Sequence, residues 1–213
     1  MEKDPQMYQR VSGLARDFPN LELYQADALS FPLLEESYKV FANIPFAIEG
    51  RLVRRLIEAE NPPQDAYLVS RREVAERMAG IPKEGQFSIL HKPLFDFEIF
   101  HRFKRDDFKP KPKVESAMLR IRKKEKPLLA QEDTRLFELL VTQGFGGGRR
   151  IKQNLSPVFS SNQLRLLAQE NNFRLSDKPS DLNLDQWLNV FEFWRHRVPE
   201  SQRSKFITRM RRR

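Results

Sequence analysis

The sequence predicts an α/β fold: a mostly parallel sheet with an antiparallel edge, followed by a small all-helical region. Three observations carry that expectation. Short apolar runs alternate with helical stripes over residues 1–80, two runs of period two follow at 95–121, and the pattern turns wholly helical after Lys126-Pro127.

The elements follow in order. A helical stretch spans Met7 to Phe18 and is closed by Pro19-Asn20. Leu21–Asp27 reads as a short strand ending in an acid, and Lys39–Asn43 as a second. Apolar residues at 48, 52, 53, 56 and 57 form a helical stripe with Arg51, Arg54 and Arg55 facing out, stopped by Pro62-Pro63. Ala66–Ser70 is a further strand, and a charged helix ends near Gly80. Phe95, Phe97 and Ile99, then Ala117, Leu119 and Ile121, alternate with polar residues and predict two antiparallel strands joined by the Pro/Lys-rich stretch 108–113.

In the helical region, one helix is expected from about Asp133 to Gln143. Another is expected from about Asn162 to Asn171, behind Ser161 as N-cap. A third begins after Asn183, with Gln186 at the capping-box position. Its Trp187, Val190, Phe191 and Trp194 share one face and read as core. Residues 200–213 have little to bury and are expected to be a flexible basic tail. The division is therefore 1–125, 126–199 and 200–213.

Composition sets the outer limits. The 213 residues are 39% hydrophobic, enough for a packed core, and no stretch reaches the ~18 apolar residues of a membrane span. There is no cysteine, and the three histidines have no ligand-like spacing, so no metal site and no disulfide are expected. The Met-Glu-Lys-Asp-Pro start is not a signal peptide, so the expectation is a cytoplasmic protein with no membrane partner. The net charge is +9. Residues 102–126 hold eleven Lys/Arg against four acids, and 195–213 hold eight against Glu200 alone. Such clustering suits a polyanion, although a merely solvated surface would give the same statistics.

One tetrapeptide, Asn43-Ile44-Pro45-Phe46, stands where a strand ends and a helix begins, the place where ligands bind in parallel α/β sheets. An Asn side-chain oxygen and the next carbonyl can accept both hydrogens of an adenine amine. They would then stabilise the positive charge that develops as the nitrogen attacks. Pro45 fixes the carbonyl of Ile44, and Phe46 offers a flat face to an unstacked base. An ordinary turn with Asn as a cap fits the same residues. Downstream, Phe108-Lys-Pro-Lys-Pro-Lys-Val-Glu-Ser116 joins a stiffened loop to lysines suited to phosphates.

Together with Glu2-Lys-Asp-Pro5, Asp27-Ala28, Gly148–Leu155 and Leu184–Leu188, these segments resemble the Erm/KsgA group of rRNA adenine N6-methyltransferases. The resemblance runs from Glu2 to about Arg197 and implies a Rossmann-like methyltransferase sheet, S-adenosylmethionine as cofactor, and rRNA as partner. Glu2 matches the acid that holds the cofactor's ribose, and Asp27 the acid that accepts from its adenine amine, with Ala28 beside it. For Asp27 a plain turn or cap role is equally open from the residues. Asn43, which also borders the cofactor, and Ile44 would orient the target amine. Phe46 and Phe108 would clasp the flipped adenine, although Phe108 could also be one core aromatic among seventeen Phe. Lys109, Lys111, Lys113, Arg149, Arg150 and Lys152 are the expected RNA contacts. The wording of the 109–113 loop resembles the 23S-directed, macrolide-lincosamide-streptogramin B resistance branch more than the 16S-directed one. A monomer is expected.

The family places a glycine-rich loop and a central strand before the acid that Glu2 matches. Gly146-Gly-Gly148 lies too far downstream to replace that loop. The sequence is therefore expected to start at an internal methionine and to lack the first strand. An inactive, RNA-binding remnant and a missing part supplied by another chain are the alternatives.

Overall fold

The computed structural model describes residues 1–212. Helix α1 (Pro5–Ala15) starts where Asp4 accepts hydrogen bonds from the Gln6 and Met7 amides, both at 2.9 Å. A four-stranded sheet holds β1 (Lys39–Asn43), β2 (Asp65–Arg71), β3 (Phe95–Arg102) and β4 (Ser116–Lys123) in the order β1-β2-β4-β3. β1 and β2 are parallel, and β4 is antiparallel to both of its neighbours. Three strands thus point one way, and the reversed β4 sits inside the sheet with β3 at the edge.

Helices α2 (Glu49–Ile57), α3 (Arg72–Met78) and α4 (Gln86–His91) connect these strands. α2 buries Leu52, Val53, Leu56 and Ile57 against Ala66, Leu68, Leu119 and Ile121, the stripe and strand faces that the period predicts. Arg55 does not simply face out. Its guanidinium donates to the carbonyls of Ala28 and Phe31, tying the loop after Asp27 to α2.

Three other expectations change. Residues 21–27 form no strand; Gln25 makes one parallel bridge to Glu2. The partner ends there because Asp4 caps α1 and Pro5 has no amide hydrogen to extend a ladder. The N-cap of α7 (Ser161–Glu170) is Ser160, one residue earlier than expected, in a reciprocal capping box with Gln163. Residues 200–211, expected as part of a flexible basic tail, form helix α9 (Glu200–Arg211), whose Phe206 is buried edge-on to Trp194 at 5.9 Å. One aromatic and a partly buried Ile207 and Met210 on the same side suffice to dock it.

The remaining helices are α5 (Gln131–Phe145), α6 (Ile151–Leu155) and α8 (Leu184–Arg197). Their core contains Trp187, Trp194, Phe137 and Phe191, with Asn183 capping α8 as its sequence predicts. Ile89 of α4 belongs to this helical core rather than to the sheet's. Lys83 pairs with Asp181 at 2.5 Å, and Gln86 bonds Thr142 at 3.2 Å, further joining the two parts. Among the described residues no helix is long and apolar enough to cross a membrane.

Candidate nucleic-acid and cofactor site

The carboxyl ends of β1, β2 and β3 and the start of β4 meet at one end of the sheet, because Asn43 lies beside Val69 and both Arg71 and Arg102 pair with the first residues of β4. This is where a parallel-type sheet presents its loops for binding. Asn43 is the last residue of β1 and is exposed, and its side chain bonds no other group among the described residues. Ile44 is 2% exposed, and its amide donates to the Val69 carbonyl at 3.0 Å, so the turn is pinned to β2 directly after Asn43. Pro45 then leads into a 3₁₀ turn, Phe46–Ile48, closed by the Ile48 amide on the Pro45 carbonyl. Phe46 stands on that turn 42% exposed, a large apolar ring left in water at the mouth of the sheet.

The second aromatic arrives from the β3–β4 connection. Phe108 is half-buried and packs edge-on to Phe103 at 5.3 Å; the Phe103 amide in turn donates to Ser116 at the start of β4. Arg105 closes the loop by donating to the carbonyls of Pro112 and Lys113. Lys109, Lys111 and Lys113 are exposed on this loop, and Lys111 pairs with Asp106 at 2.5 Å.

Glu2 and Asp27 come together across the single bridge. The Glu2 amide donates to Tyr24, the Ala26 amide donates to Glu2, and the Glu2 carboxylate accepts from the Asp4 amide at 2.8 Å. Asp27 accepts from Lys3 and from the Leu29 amide, each at 2.8 Å. Those two bonds, the lysine's first, hold the Asp27 carboxyl below the usual carboxylate range, so it is an acceptor at neutral pH. Ala28 follows in the turn and gives its carbonyl to Arg55.

Arg149, Arg150 and Lys152 are exposed in the helical part. Arg149 borders a surface depression of about 440 Å³ shared with Phe145, Gly148, Lys178, Pro179 and Ser180. Gly148 is held by Asn154, whose amide donates to the carbonyls of Gly144 and Gly148; a Cβ on Gly148 would meet Asn154 Oδ1 at 2.1 Å. Gly148 thus serves close packing in the helical region, whereas Gly147, with φ 85° and open space around it, serves the turn.

A sequence-only reading passes over Glu49 and Arg71. Glu49 is 2% exposed in the first turn of α2, and its carboxylate accepts both the Arg71 amide at 2.6 Å and Arg71 Nε at 2.9 Å. The available signal was a carboxylate standing on the apolar stripe of α2, three residues before Leu52, where burial demands a partner.

The family model for ribosomal RNA adenine dimethylase matches residues 1–196. The chain belongs to that family. A ribosomal RNA small subunit methyltransferase A from Trichormus variabilis is 33% identical over 186 residues, covering 83% of this chain and 68% of the relative. An rRNA adenine N-6-methyltransferase from Saccharopolyspora erythraea is 26% identical over 193 residues, covering 90% and 50%. The crystal structure of the 23S rRNA methyltransferase ErmE superposes with a TM-score of 0.85 at 26% identity, covering 92% of this chain and 80% of that one. A dimethyladenosine transferase from Plasmodium falciparum shares the fold, with a TM-score of 0.66 at 22% identity over 90% and 79% of the two chains. The resemblance read from Glu2-Lys-Asp-Pro5, Asp27-Ala28, Asn43–Phe46 and Phe108–Ser116 is that of the family, and a dimethylase sheet with a helical C-terminal part is the fold.

Proposed function

We propose that this adenine dimethylase-family chain transfers methyl groups from S-adenosylmethionine to N6 of an adenine in 23S rRNA, the modification associated with macrolide-lincosamide-streptogramin B resistance. The observation that carries the reading is the placement of an unengaged Asn43 and an exposed Phe46 together at the carboxyl ends of the strands. S-adenosylmethionine, when bound, supplies a methyl group on a positively charged sulfur. The acids fit such a ligand: Asp27 is ionised and exposed enough to accept from an adenine amine, and Glu2 lies beside it, across the bridge, to accept from ribose hydroxyls.

Asn43 Oδ1 and the Ile44 carbonyl accept the two hydrogens of the target amine and stabilise the charge its nitrogen gains. Phe46 and Phe108 give the flipped base apolar faces, and the exposed lysines of the 109–113 loop take phosphates. Arg149, Arg150 and Lys152 extend the phosphate contacts to the helical part. No covalent enzyme intermediate is required, so positioning and electrostatics carry the rate.

The 23S target is supported by the likeness to ErmE over most of both chains. The 16S target is the second reading, favoured by the small-subunit name of the Trichormus relative. Transfer of label from S-adenosylmethionine to protein-free 23S and 16S rRNA, assayed separately, decides between them. In the RNA that is labelled, Asn43→Ala is expected to lower the rate by about 10²–10³-fold, as loss of an oriented acceptor does, with RNA affinity unchanged. A near-normal rate in that variant would remove Asn43 from the chemistry. An absence of label in both RNAs from folded protein would leave the RNA-binding remnant as the better reading.

A further inference from the structure

The buried Glu49 lies one turn beyond the Asn43–Phe46 motif and has a specific partner. Its carboxylate takes two donors of one residue, the Arg71 amide and Arg71 Nε, so both the end of β2 and the plane of the guanidinium are fixed from beneath. The side chain of Arg71 then reaches the Phe46 ring, with Cζ 5.8 Å from the ring centroid. A guanidinium at that distance from an aromatic centroid makes a cation–π contact. Arg71 also pairs through its backbone with Ser116, the residue at which the Phe108 loop rejoins the sheet. One residue therefore touches a buried anchor, the exposed aromatic and the end of the second aromatic segment.

A helix-terminal acid that merely suited the α2 dipole would need no such burial, because a solvent-exposed carboxylate does the same. Burying a carboxylate is costly unless it is paired and hydrogen-bonded, and here the pairing is spent on a residue whose far end lies against the site. Arg71 is only partly covered by this arrangement, and its outer amine lies 3.5 Å from Glu73. That second acid draws the guanidinium away from free rotation toward solvent.

Resting on the reading of Phe46 as the base-stacking ring, we propose that Arg71, anchored by Glu49, is a positioning residue that fixes the Phe46 ring for the incoming adenine. The planar fork matters: lysine keeps the charge but can neither hold Glu49 through Nε nor lie flat against the ring. Glu49→Gln keeps the shape and weakens the anchor.

The test uses the full chain and reads Phe46 directly. Protein labelled with 4-fluorophenylalanine gives a ¹⁹F resonance for Phe46, assigned by its disappearance in Phe46→Leu. Arg71→Lys and Glu49→Gln are each expected to move or broaden that resonance while those of the buried Phe137 and Phe191 stay in place. An unmoved Phe46 resonance in both variants overturns the proposal, whatever the protein's activity. Movement of all the resonances together, with a lower melting temperature, would mean a general structural role and also overturns it.

The second arm uses an RNA hairpin carrying one 2-aminopurine in an otherwise adenine-free loop. Wild-type protein is expected to change its emission on binding, and Phe46→Leu to abolish the change. Arg71→Lys is expected to reduce it about two- to fivefold, the range set by a cation–π contact at a part-exposed site, with RNA affinity held. A weaker affinity and a shallower salt dependence in Arg71→Lys would make Arg71 a phosphate contact instead and would refute the positioning role. No emission change with bound wild-type protein would refute the base-stacking reading, and the inference with it. A ¹⁹F shift alongside that outcome would show an Arg71–Phe46 contact that serves no base.

Discussion

The helical part buries Trp187, Trp194, Phe137 and Phe191 completely, whereas the sheet part leaves Phe41 on β1 73% exposed and Phe46 on the following turn 42% exposed. Aromatic residues are thus used in two ways in one chain. In the helices they interlock with each other, as Phe137 does with Phe191 at 5.6 Å and Phe145 with Trp187 at 5.4 Å. In the sheet part Phe41 and Phe46 face outward, and order comes from ion pairs: Glu49 with Arg71 at the carboxyl end of β2, Asp65 with Arg120 near its start, and Lys3 with Asp27 in the loop before β1. The difference teaches that aromatics holding the core and aromatics left open to solvent are placed apart in one chain. A packed aromatic cannot meet a base, and an exposed one adds little to the core.

The largest expected effect tests the packed side. Trp187→Ala should destabilise the chain by about 3–5 kcal/mol in a urea titration, because it deletes one of the two fully buried tryptophan rings and leaves a cavity. A loss of under ~1 kcal/mol, too small for an unfilled cavity, would break the contrast between the two parts.

Next comes the fit around the same ring. A Cβ on Gly144 would meet Trp187 Cη2 at 2.2 Å, with ring atoms rather than a flexible chain end in the way. Gly144→Ala is therefore expected to cost about 1–3 kcal/mol by the same titration, although alanine favours a helix elsewhere. A stabilised variant would show that the ring can shift and that the helical core is looser than its contacts imply.

The ion pairs of the sheet part make a smaller, pH-dependent contribution. The Arg120 guanidinium donates to both Asp65 oxygens, at 3.1 and 2.7 Å, and holds the Asp65 carboxyl below its ordinary range. A carboxyl with a depressed folded pKa stabilises the protein above its unfolded value of about 3.9. That stability is lost as the pH falls through the folded value. Asp65→Asn should therefore be less stable than wild type at pH 7, by about 1.5–3 kcal/mol for bonds to a charged group, with the gap closing below pH ~4. A gap that persists unchanged at low pH would separate the pair from the acid sensitivity of the sheet.

The smallest effect belongs to Phe41→Ser, expected to change stability by no more than about 0.5 kcal/mol despite the loss of a whole ring. A large loss would show that the outer face of β1 is covered in solution and would redraw the comparison.

Much of this molecule is legible in order along the chain. The period-two runs at 95–99 and 117–121, the stripe of α2, the Asn183–Gln186 cap and the one-sided aromatics of α8 follow from which residues a strand or helix must bury. Of the candidate site, the contiguous part was legible as geometry: Asn43, Ile44 and Phe46 lie on one strand-to-helix turn because they are neighbours in sequence. Tertiary structure alone decided the rest. Residues 21–27 have the composition of a strand, but a strand exists only where a partner continues beside it, and Asp4-Pro5 turns the partner into a helix. The segment 200–211 reads as too polar to pack, yet Phe206 against Trp194, with Ile207 and Met210 on the same core, was enough to dock it as a helix. Glu49 and Arg71 stand 22 positions apart. Local pattern tells which face of an element turns inward, and only the meeting of two such faces tells which buried charge finds which partner.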